Sequence, residues 1–357
     1  MWIAEHVLKI DRPFCYNDDT YGVCDADDTK FYEPYGRFMP RNQCELLELW
    51  DLLGIPHKEK KQLSGNPLTI IGIEVDANEM TMTLPAHAKE ALIAELRRFI
   101  AEPTGKAPSF SYKEFQQFAG GMNAALNVFP LLRPALTNIF ARISETYRTF
   151  GESSADKQIQ CDSTIRSDLN WALKHIRNSK GTRILQDARA WKPEEAGITA
   201  YTCSNLKSMV FWYPGLKPSV AYYFDTPSAP PDLEHFLEVL CVTSAFLDAA
   251  SRQRSSAKIV IYTENIGIVK MFDSFHCSPI YNPLFKAVAD SMIQHKHRLR
   301  VLHISAKKNI VPNLLLRESV SEARKHVSEI ASFKPLDKLL GPLKDNLTGE
   351  KMHRGTV

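Results

Sequence analysis

The order of hydrophobic patterns between residues 196 and 317 constrains the fold of this chain more than any other feature of its sequence. Three β-rich runs come first, and an apolar helical stretch follows them. A buried-type strand, two further helical stretches, another strand and a short last helix complete the region. Strands and helices in this order predict an α/β domain that has a mixed five-stranded sheet with flanking helices. The predicted strands cover residues 198–202, 209–213, 220–224, 258–263 and 299–304, and the predicted helices cover residues 233–250, 266–272 and 283–295.

The patterns divide the chain into four parts. A β-rich N-terminal region is followed by a mostly helical region, then by the α/β domain, and last by a stretch without periodic apolar residues. That last stretch is charged and is predicted to be a partly disordered tail. The predicted boundaries are 1–85, 86–195, 196–317 and 318–357.

Local signals place the elements of the first two parts. Gly54 and Pro56 end a helix that is predicted from Arg41 to Leu53. Ser111 and Glu114 form the two ends of a capping box and so begin another helix. Further expectations are a strand at 2–10, a hairpin of strands at 68–75 and 80–84, helices at 88–100, 133–149 and 163–177, and a polar linker at 151–157.

Composition and charge limit the classes of partner. Hydrophobic residues make up 44% and charged residues 24% of the 357 residues, which is ordinary for a globular chain with full cores. The net charge of +3 does not by itself indicate a polyanionic partner, although the stretch 252–308 is rich in Lys and Arg. A cationic module for a polyanion and an ordinary solvated face both explain that stretch.

Cysteine usage and hydropathy predict an intracellular protein. The seven cysteines are scattered without a C-x-x-C pair, which is typical of reduced thiols in a nuclear or cytoplasmic compartment. Zinc is not expected, because no two Cys/His pairs stand at finger spacing. No apolar run approaches the roughly 18 residues of a membrane span, so no membrane partner is expected.

Seven short motifs, taken together, resemble one family. They are Leu53–Gln62, Leu68–Asp76, Ala125–Ala135, Asp168–Trp171, Tyr262–Asn265, Tyr281–Leu284 and Leu299–His303. In order and spacing they are similar to the reverse transcriptase–ribonuclease H region of retrotransposons common in mushroom-forming fungi, over about residues 2–317. The resemblance implies an α/β and α+β multidomain protein with a remnant of the polymerase palm, a helical thumb/connection-like domain and a ribonuclease H-like domain.

The polymerase part of the resemblance lacks its metal ligands. Trp2–Leu8 resembles a strand–turn–strand hairpin that presents paired aspartates in the family, and Ala4 and Glu5 stand in their places. The fingers, most of the palm and the other metal-binding aspartate would precede Met1 and are expected to be absent. One displaced carboxylate cannot assemble a two-metal site, so no polymerase activity is expected.

The ribonuclease H part keeps its elements but changes its chemistry. The resemblance implies Asp, Glu, Asp and Asp where this chain has Cys203, Glu238, Glu264 and Asn313. A thiol is a poor ligand for the hard Mg²⁺ ion. The carboxylate of Glu264 lies about one methylene too far out for a geometry that tolerates roughly half an ångström. Asn313 keeps an oxygen but has lost the charge.

We therefore expect a catalytically inactive site without a resident cofactor. Glu238 and Glu264 are the candidate catalytic and metal-binding residues if Mg²⁺ or Mn²⁺ supports residual activity. Ordinary structural roles would also explain the four positions. Cys203 would suit a small core side chain, and Asn313 would suit a helix cap. Glu264 followed by Asn265 would likewise suit a cap, and Glu238 an exposed helix edge.

Binding of nucleic acid does not need the lost carboxylates. In the family the thumb/connection region grips the duplex, and phosphate contacts from Lys and Arg give affinity that carries little sequence information. The expected ligand is an RNA–DNA hybrid or duplex, bound non-specifically. The candidate contacts are Lys58, Lys60, Lys61, Arg97, Arg98, Lys106, Arg133 and Arg142.

Three functions from different classes stay open. The first is an inactive reverse transcriptase/ribonuclease H-like protein that still binds nucleic acid. The second is a weak metal-dependent endonuclease for RNA–DNA hybrids. The third is a protein-interaction scaffold with an unknown partner, or an element remnant without function. Binding of hybrid, metal-dependent cleavage, or neither of these distinguishes the three.

Overall fold

The chain packs into two compact units in its computed structural model, which describes residues 1–11, 13–102, 105, 107–184, 191–226 and 230–341. The N-terminal unit consists of Met1–Lys89 and a short segment that begins at Lys180. The C-terminal unit consists of Glu90–Ser179 and the described residues from Trp191 onward. The four-part division predicted from the sequence remains a prediction.

Both units contain helices and strands. Up to residue 184 they are α1 (Trp2–His6), β1 (Phe14–Tyr16), β2 (Asp19–Tyr21), β3 (Thr29–Tyr32), β4 (Arg37–Pro40), α2 (Arg41–Leu53), β5 (Leu68–Ile70), β6 (Ile73–Asp76), β7 (Thr81–Thr83), α3 (Ala86–Ile100), β8 (Ser109–Ser111), α4 (Tyr112–Ala125), α5 (Thr137–Phe150), β9 (Gln158–Gln160), α6 (Ser163–Asn178) and β10 (Thr182–Arg183). From Trp191 onward they are β11 (Ile198–Ser204), β12 (Ser208–Tyr213), β13 (Val220–Asp225), α7 (Glu234–Ser251), β14 (Lys258–Thr263), α8 (Ile266–Ser274), α9 (Asn282–His295), β15 (Arg298–His303), α10 (Ile310–Leu316), α11 (Val320–Ala323) and β16 (Glu329–Ser332).

The predicted helix at 41–53 is confirmed in the N-terminal unit as α2. It ends where Gly54 adopts a left-handed conformation with φ of 67°, which a glycine accepts without steric cost. The helix packs on the β3–β4 hairpin. The buried cluster between them contains Tyr32, Met39, Cys44 and Leu47.

The predicted strand at 2–10, and with it the palm-like hairpin, is wrong. The segment forms α1, in which the amide of Glu5 donates to the carbonyl of Met1 at 3.0 Å. Ala4 is buried and Glu5 is exposed. In this segment only Ala4 and Ile10 are buried, so the segment does not show the alternation of buried and exposed residues that is typical of a strand. The two positions therefore do not stand on a hairpin.

The predicted hairpin at 68–75 and 80–84 is a three-stranded arrangement instead. Ile71 and Gly72, with φ of 50° and 76°, make a turn inside the first predicted strand and split it into β5 and β6. The turn uses glycine's freedom at positive φ, a signal that the apolar run around it concealed. A fourth strand, β10, pairs with β7, and the strand order is β10-β7-β6-β5.

The helical region of the C-terminal unit begins and ends its elements largely where predicted. The capping box is confirmed: the hydroxyl of Ser111 accepts from the amide of Glu114 at 3.3 Å, and the Glu114 carboxylate accepts from the amide of Ser111 at 2.9 Å. The predicted helix at 133–149 starts later, because a 3-10 helix containing Pro134 occupies Pro130–Leu136. The predicted linker after α5 is a 3-10 helix, Gly151–Asp156.

The element order predicted for the α/β domain is confirmed, but its sheet has six strands. The strand order is β15-β14-β11-β12-β13-β16. Within this sheet, β11 pairs antiparallel with β12, and β12 pairs antiparallel with β13. Strand β14 pairs parallel with β11, and β15 pairs parallel with β14. Helices α7, α8 and α9 pack with one face of the sheet into a single large hydrophobic core. The carboxyl ends of β11 and β14 therefore meet at one edge.

The prediction of a charged tail from residue 318 is wrong for the residues that the structure describes. Helix α11 and strand β16 lie there, and β16 pairs parallel to β13. Ala323 and Val327 are buried in a cluster with Val210 and Ala221 on the second face of the sheet. Two apolar residues four apart were too sparse to show as a periodic pattern. Residues 342–357 lie outside the described part of the chain.

A helix that crosses a membrane needs a long run of apolar residues. Among the helices that the structure describes, none is both long enough and apolar enough to cross a bilayer.

Candidate functional site

Four elements bring the predicted site residues to one place. Cys203 lies near the end of β11, Glu264 directly follows β14, Glu238 stands on α7 and Asn313 on α10. Cys203, Glu238 and Glu264 line a common cavity of about 10 Å³, roughly the space of a single water. Thr202, Ser204, Cys241 and Thr263 complete its lining.

Sheet register explains why Cys203 and Glu264 are neighbours. β11 and β14 are parallel and adjacent, with Tyr201 opposite Tyr262. Two residues further along each strand, the Sγ atom of Cys203 lies 3.6 Å from Oε1 of Glu264. It also lies 3.7 Å from Oδ1 of Asn313, so its single proton has two acceptors within reach.

Amide donors surround the carboxylate of Glu264. Oε1 of Glu264 accepts from Nδ2 of Asn313 at 2.7 Å and from Nδ2 of Asn309 at 2.7 Å. Nδ2 of Asn309 also donates to the carbonyl of Thr202 at 3.0 Å. Hydrogen bonds to a charged acceptor stabilise that charge, so these dipoles offset the charge of Glu264 as a cation otherwise would.

Asn309 is the site residue that sequence reasoning missed. It is fully buried, and its Oδ1 atom has no hydrogen-bond partner among the described residues. It occupies the N-cap position of α10, although its side chain makes no capping bond. Asn313, predicted as a cap, instead lies inside α10. A lone Asn before an apolar run signals a helix start, but nothing in the sequence says that its amide reaches the ends of β11 and β14.

The thiol of Cys203 stays protonated at neutral pH. Burial, and then the negative charge of Glu264, raises the pKa of Cys203 to about 12. Only a thiolate is a good nucleophile, so the protonated Cys203 side chain is a poor one. It is half-buried and hydrogen-bonded, which differs from the simple core position that a lone strand cysteine suggests.

Glu238 is held by a second group of partners. Its Oε2 atom accepts from Nδ2 of Asn265 at 2.7 Å and lies 2.9 Å from Nδ1 of His235. Oδ1 of Asn265 accepts from the amide of Gly267 at 2.8 Å, so Asn265 caps α8 while it holds Glu238. The cap predicted for Glu264 and Asn265 is therefore made by Asn265.

The residues present do not fit a two-magnesium centre. Mg²⁺ takes near-octahedral oxygen ligands and is usually held by carboxylates. Here the donors are a protonated thiol, an amide whose N–H faces Glu264, and two carboxylates that already accept from amides. Among the residues that the structure describes, no group of three or more His, Cys, Asp or Glu side chains is placed to hold a metal ion. No catalytic step through a metal follows from this site.

Two of the predicted phosphate contacts already have internal partners. Arg98 pairs with Glu95 and Glu114, both at 3.1 Å. Arg142 pairs with Glu145 at 3.1 Å and with Asp162 at 2.7 Å. Lys58, Lys60, Lys61 and Arg97 are exposed, Arg133 is half-buried, and Lys106 lies outside the described residues. Their contacts with nucleic acid stay predictions.

Comparisons with known proteins give structural likenesses only. No protein-family model and no curated protein matches the sequence. Foamy viral protease–reverse transcriptase in complex with dsDNA matches with a TM-score of 0.35 and 14% identity, over 85% of this chain and 57% of that chain. The same viral protein with an RNA/DNA hybrid matches at 0.35 and 13%, over 85% and 37%. LC11 ribonuclease H1 with an RNA/DNA hybrid matches at 0.28 and 15%, over 36% and 99%.

This chain spans between 37% and 57% of the foamy viral chains that it matches. At TM-scores this low the likenesses carry no argument about its chemistry. What the chain does has to be inferred from its own strand order and from the residues at the ends of β11 and β14.

Proposed function

We propose that this chain is a reverse transcriptase/ribonuclease H-like protein, derived from a fungal retrotransposon, that binds duplex nucleic acid without cleaving it. An RNA–DNA hybrid is the expected ligand, bound through phosphates and duplex shape rather than through base sequence. The order and direction of the five strands β11 to β15, with α7 between β13 and β14, support this ancestry. So does the meeting of Cys203, Glu238 and Glu264 at one cavity.

The observation that carries the loss of catalysis is the hydrogen bonding of Glu264. Its Oε1 atom is occupied by the amides of Asn309 and Asn313 at 2.7 Å each, and the neighbouring Cys203 side chain is an uncharged thiol. Two-metal hydrolysis needs carboxylate oxygens that are free to bridge or ligate the ions. The site offers dipoles where that chemistry needs anions.

Fluorescence anisotropy with a labelled RNA–DNA hybrid tests binding. We expect affinity that falls steeply between about 50 mM and about 200 mM salt, because each phosphate contact releases counterions. Incubation of the same hybrid with Mg²⁺ should leave it intact. Cleavage that Glu238→Ala abolishes would overturn the proposed loss of catalysis, and affinity that is indifferent to salt would overturn the proposed binding.

A weak metal-dependent nuclease is the second candidate, because Glu238 and Glu264 still line the same cavity. Mn²⁺ is the more informative ion, because it accepts softer ligands than Mg²⁺ does. Hybrid cleavage in Mn²⁺ that disappears in both Glu238→Ala and Glu264→Ala would favour this candidate. Equal cleavage by parent and variants would indicate a contaminating nuclease.

A folded protein that binds no duplex would instead be a protein-interaction scaffold or a remnant without function.

A nuclear or cytoplasmic location is part of the proposal. All seven cysteines are free thiols, which suits a reducing compartment. Localisation of a tagged full chain in fungal cells tests this part.

A further inference from the structure

The exposed face of α6 forms a polar groove that the sequence did not single out. The groove has a volume of about 450 Å³ and is lined by Asn170, Leu173, Lys174, Arg177 and Asn178. These positions are three, four, seven and eight residues apart, so they share one face of the helix. The opposite face, which includes Ile165, Leu169, Ala172 and Ile176, is buried and holds the helix in place.

The polar side chains of this groove have no partners within the described part of the protein. Lys174 and Arg177 form no ion pair there, and the amides of Asn170 and Asn178 form no side-chain hydrogen bond there. No carboxylate belongs to the groove lining that the structure describes. The charge of Lys174 acts on the carboxylate of Asp290, which Trp171 and His175 already bind at 2.7 Å each.

Within the described residues, other arginines of the helical region, unlike Arg177, are bound by side chains of their own protein. Arg98 is paired with two glutamates and lies over the rings of Phe99 and Phe110 at 4.9 and 4.7 Å. Such a side chain is held by its own protein and would lose these contacts on turning to a phosphate. Lys174 and Arg177 would lose no ion pair of the described structure. Cations without internal partners are therefore the cheaper source of phosphate contacts.

We infer that the α6 groove, and not the ion pairs of Arg98 and Arg142, contacts the sugar–phosphate backbone of a bound duplex in the helical region. This inference rests on the proposed function. Two cations and two amides without a carboxylate suit a phosphodiester, which offers only acceptor oxygens and carries one negative charge. Lys and Arg would bind phosphate oxygens, while Asn170 and Asn178 would donate to phosphate or sugar oxygens. The groove contributes affinity but no base readout.

The test compares two double variants, each of which loses two positive charges. Lys174→Gln/Arg177→Gln removes the cations of the groove, and Arg324→Gln/Lys325→Gln removes two exposed cations near α11. Anisotropy titrations of the labelled hybrid over a range of salt give the affinity and its salt slope. The groove variant should lose about two units of slope and at least about tenfold in affinity at low salt. The control variant should bind as the parent does.

The outcomes separate the two proposals. If the parent binds with a steep salt slope and the groove variant matches it, this inference is overturned while the proposed function stands. If the parent does not bind hybrid at low salt, both are overturned. Equal losses in the two variants would overturn the inference too, because they would show a net-charge effect. A poly-glutamate peptide that competes as well as hybrid would replace the phosphodiester with an acidic protein partner. Circular dichroism of both variants checks that they fold.

Discussion

The two units of the molecule bury their apolar side chains very differently. In the C-terminal unit one cluster joins the six-stranded sheet to three helices, and Phe211, Phe246 and Phe285 are fully buried in it. In the N-terminal unit the cluster under α2 is small, and large apolar side chains remain in solvent. Trp2 is 65%, Phe38 70% and Leu52 82% exposed. A unit with little buried apolar surface is marginally stable, so the N-terminal unit should open at lower denaturant.

This difference in buried apolar surface also distinguishes the candidate site from the predicted nucleic-acid contacts of the N-terminal unit. The candidate site stands on strands and helices of the large core, where side chains are held by packing. The predicted contacts Lys58, Lys60 and Lys61 stand on an exposed turn of the N-terminal unit, where little fixes them. Rigid elements position a site better than exposed turns do.

The largest expected effect concerns the buried ion pair of the C-terminal unit. Asp168 is buried and pairs with Lys286 at 2.8 Å, and it accepts from Asn138 at 2.6 Å and Asn282 at 2.9 Å. Asp168→Asn leaves a half-buried lysine unpaired, so we expect the free energy of unfolding of this unit to fall by about 3–5 kcal/mol. Hydrogen exchange in urea, followed separately for peptides of each unit, measures the loss.

The N-terminal unit should keep its own transition in that experiment. An equal shift of both units would show that they unfold as one body and would break the comparison. The double variant Asp168→Leu/Lys286→Met is the control. It removes both charges together and should recover part of the lost stability.

A matched pair of core substitutions gives the next largest effect. Leu240 is fully buried in the large core, and Leu47 is nearly so in the small one. Each Leu→Ala change removes the same atoms and costs about 2–5 kcal/mol. We expect Leu240→Ala to weaken the C-terminal unit without unfolding it, and Leu47→Ala to leave the N-terminal unit largely unfolded in buffer. Protease digestion and circular dichroism distinguish the two results. A folded N-terminal unit in Leu47→Ala would contradict the expected marginal stability.

The smallest effect is a pH dependence that both units should share. The hydrogen bonds from Tyr32 and then His57 lower the pKa of Asp51, and those from Ser111 and then Arg98 lower the pKa of Glu114. A carboxyl whose folded pKa is depressed stabilises the fold above its ordinary pKa of about 4 and loses that contribution as pH falls through the folded value.

Asp51→Asn and Glu114→Gln should therefore be less stable than the parent at neutral pH and match it in acid. Urea titrations from about pH 7 to about pH 3 give the free energy of unfolding at each step. Both side chains are partly exposed to solvent, 47% for Asp51 and 40% for Glu114, so the differences should be small. A difference between variant and parent that persists at the lowest pH would mean that the lost contacts, rather than the charge, matter.

Much of the C-terminal unit could be predicted because its apolar periodicity is strong. The strand 258–263 was predicted at its observed bounds, and the box of Ser111 and Glu114 was predicted from two residues alone. In the N-terminal unit the helix 41–53 was also predicted at its observed bounds. The elements that the sequence did not predict share a physical cause. Strand β16 has few apolar residues and forms by pairing with β13, and the turn at Gly72 lies inside an apolar run. Local pattern says little where long-range pairing or a single glycine decides the structure.

The sequence by itself determined the element order of the α/β domain and which side-chain types stand at four positions of its edge. Only the tertiary structure decided what those side chains do. The same glutamate carboxylate can hold a metal ion or accept hydrogen bonds from amides, and the neighbouring side chains decide which of these it does. Asn309 and Asn313 reach Glu264 because parallel pairing of β11 with β14 and packing of α10 bring together residues more than forty positions apart.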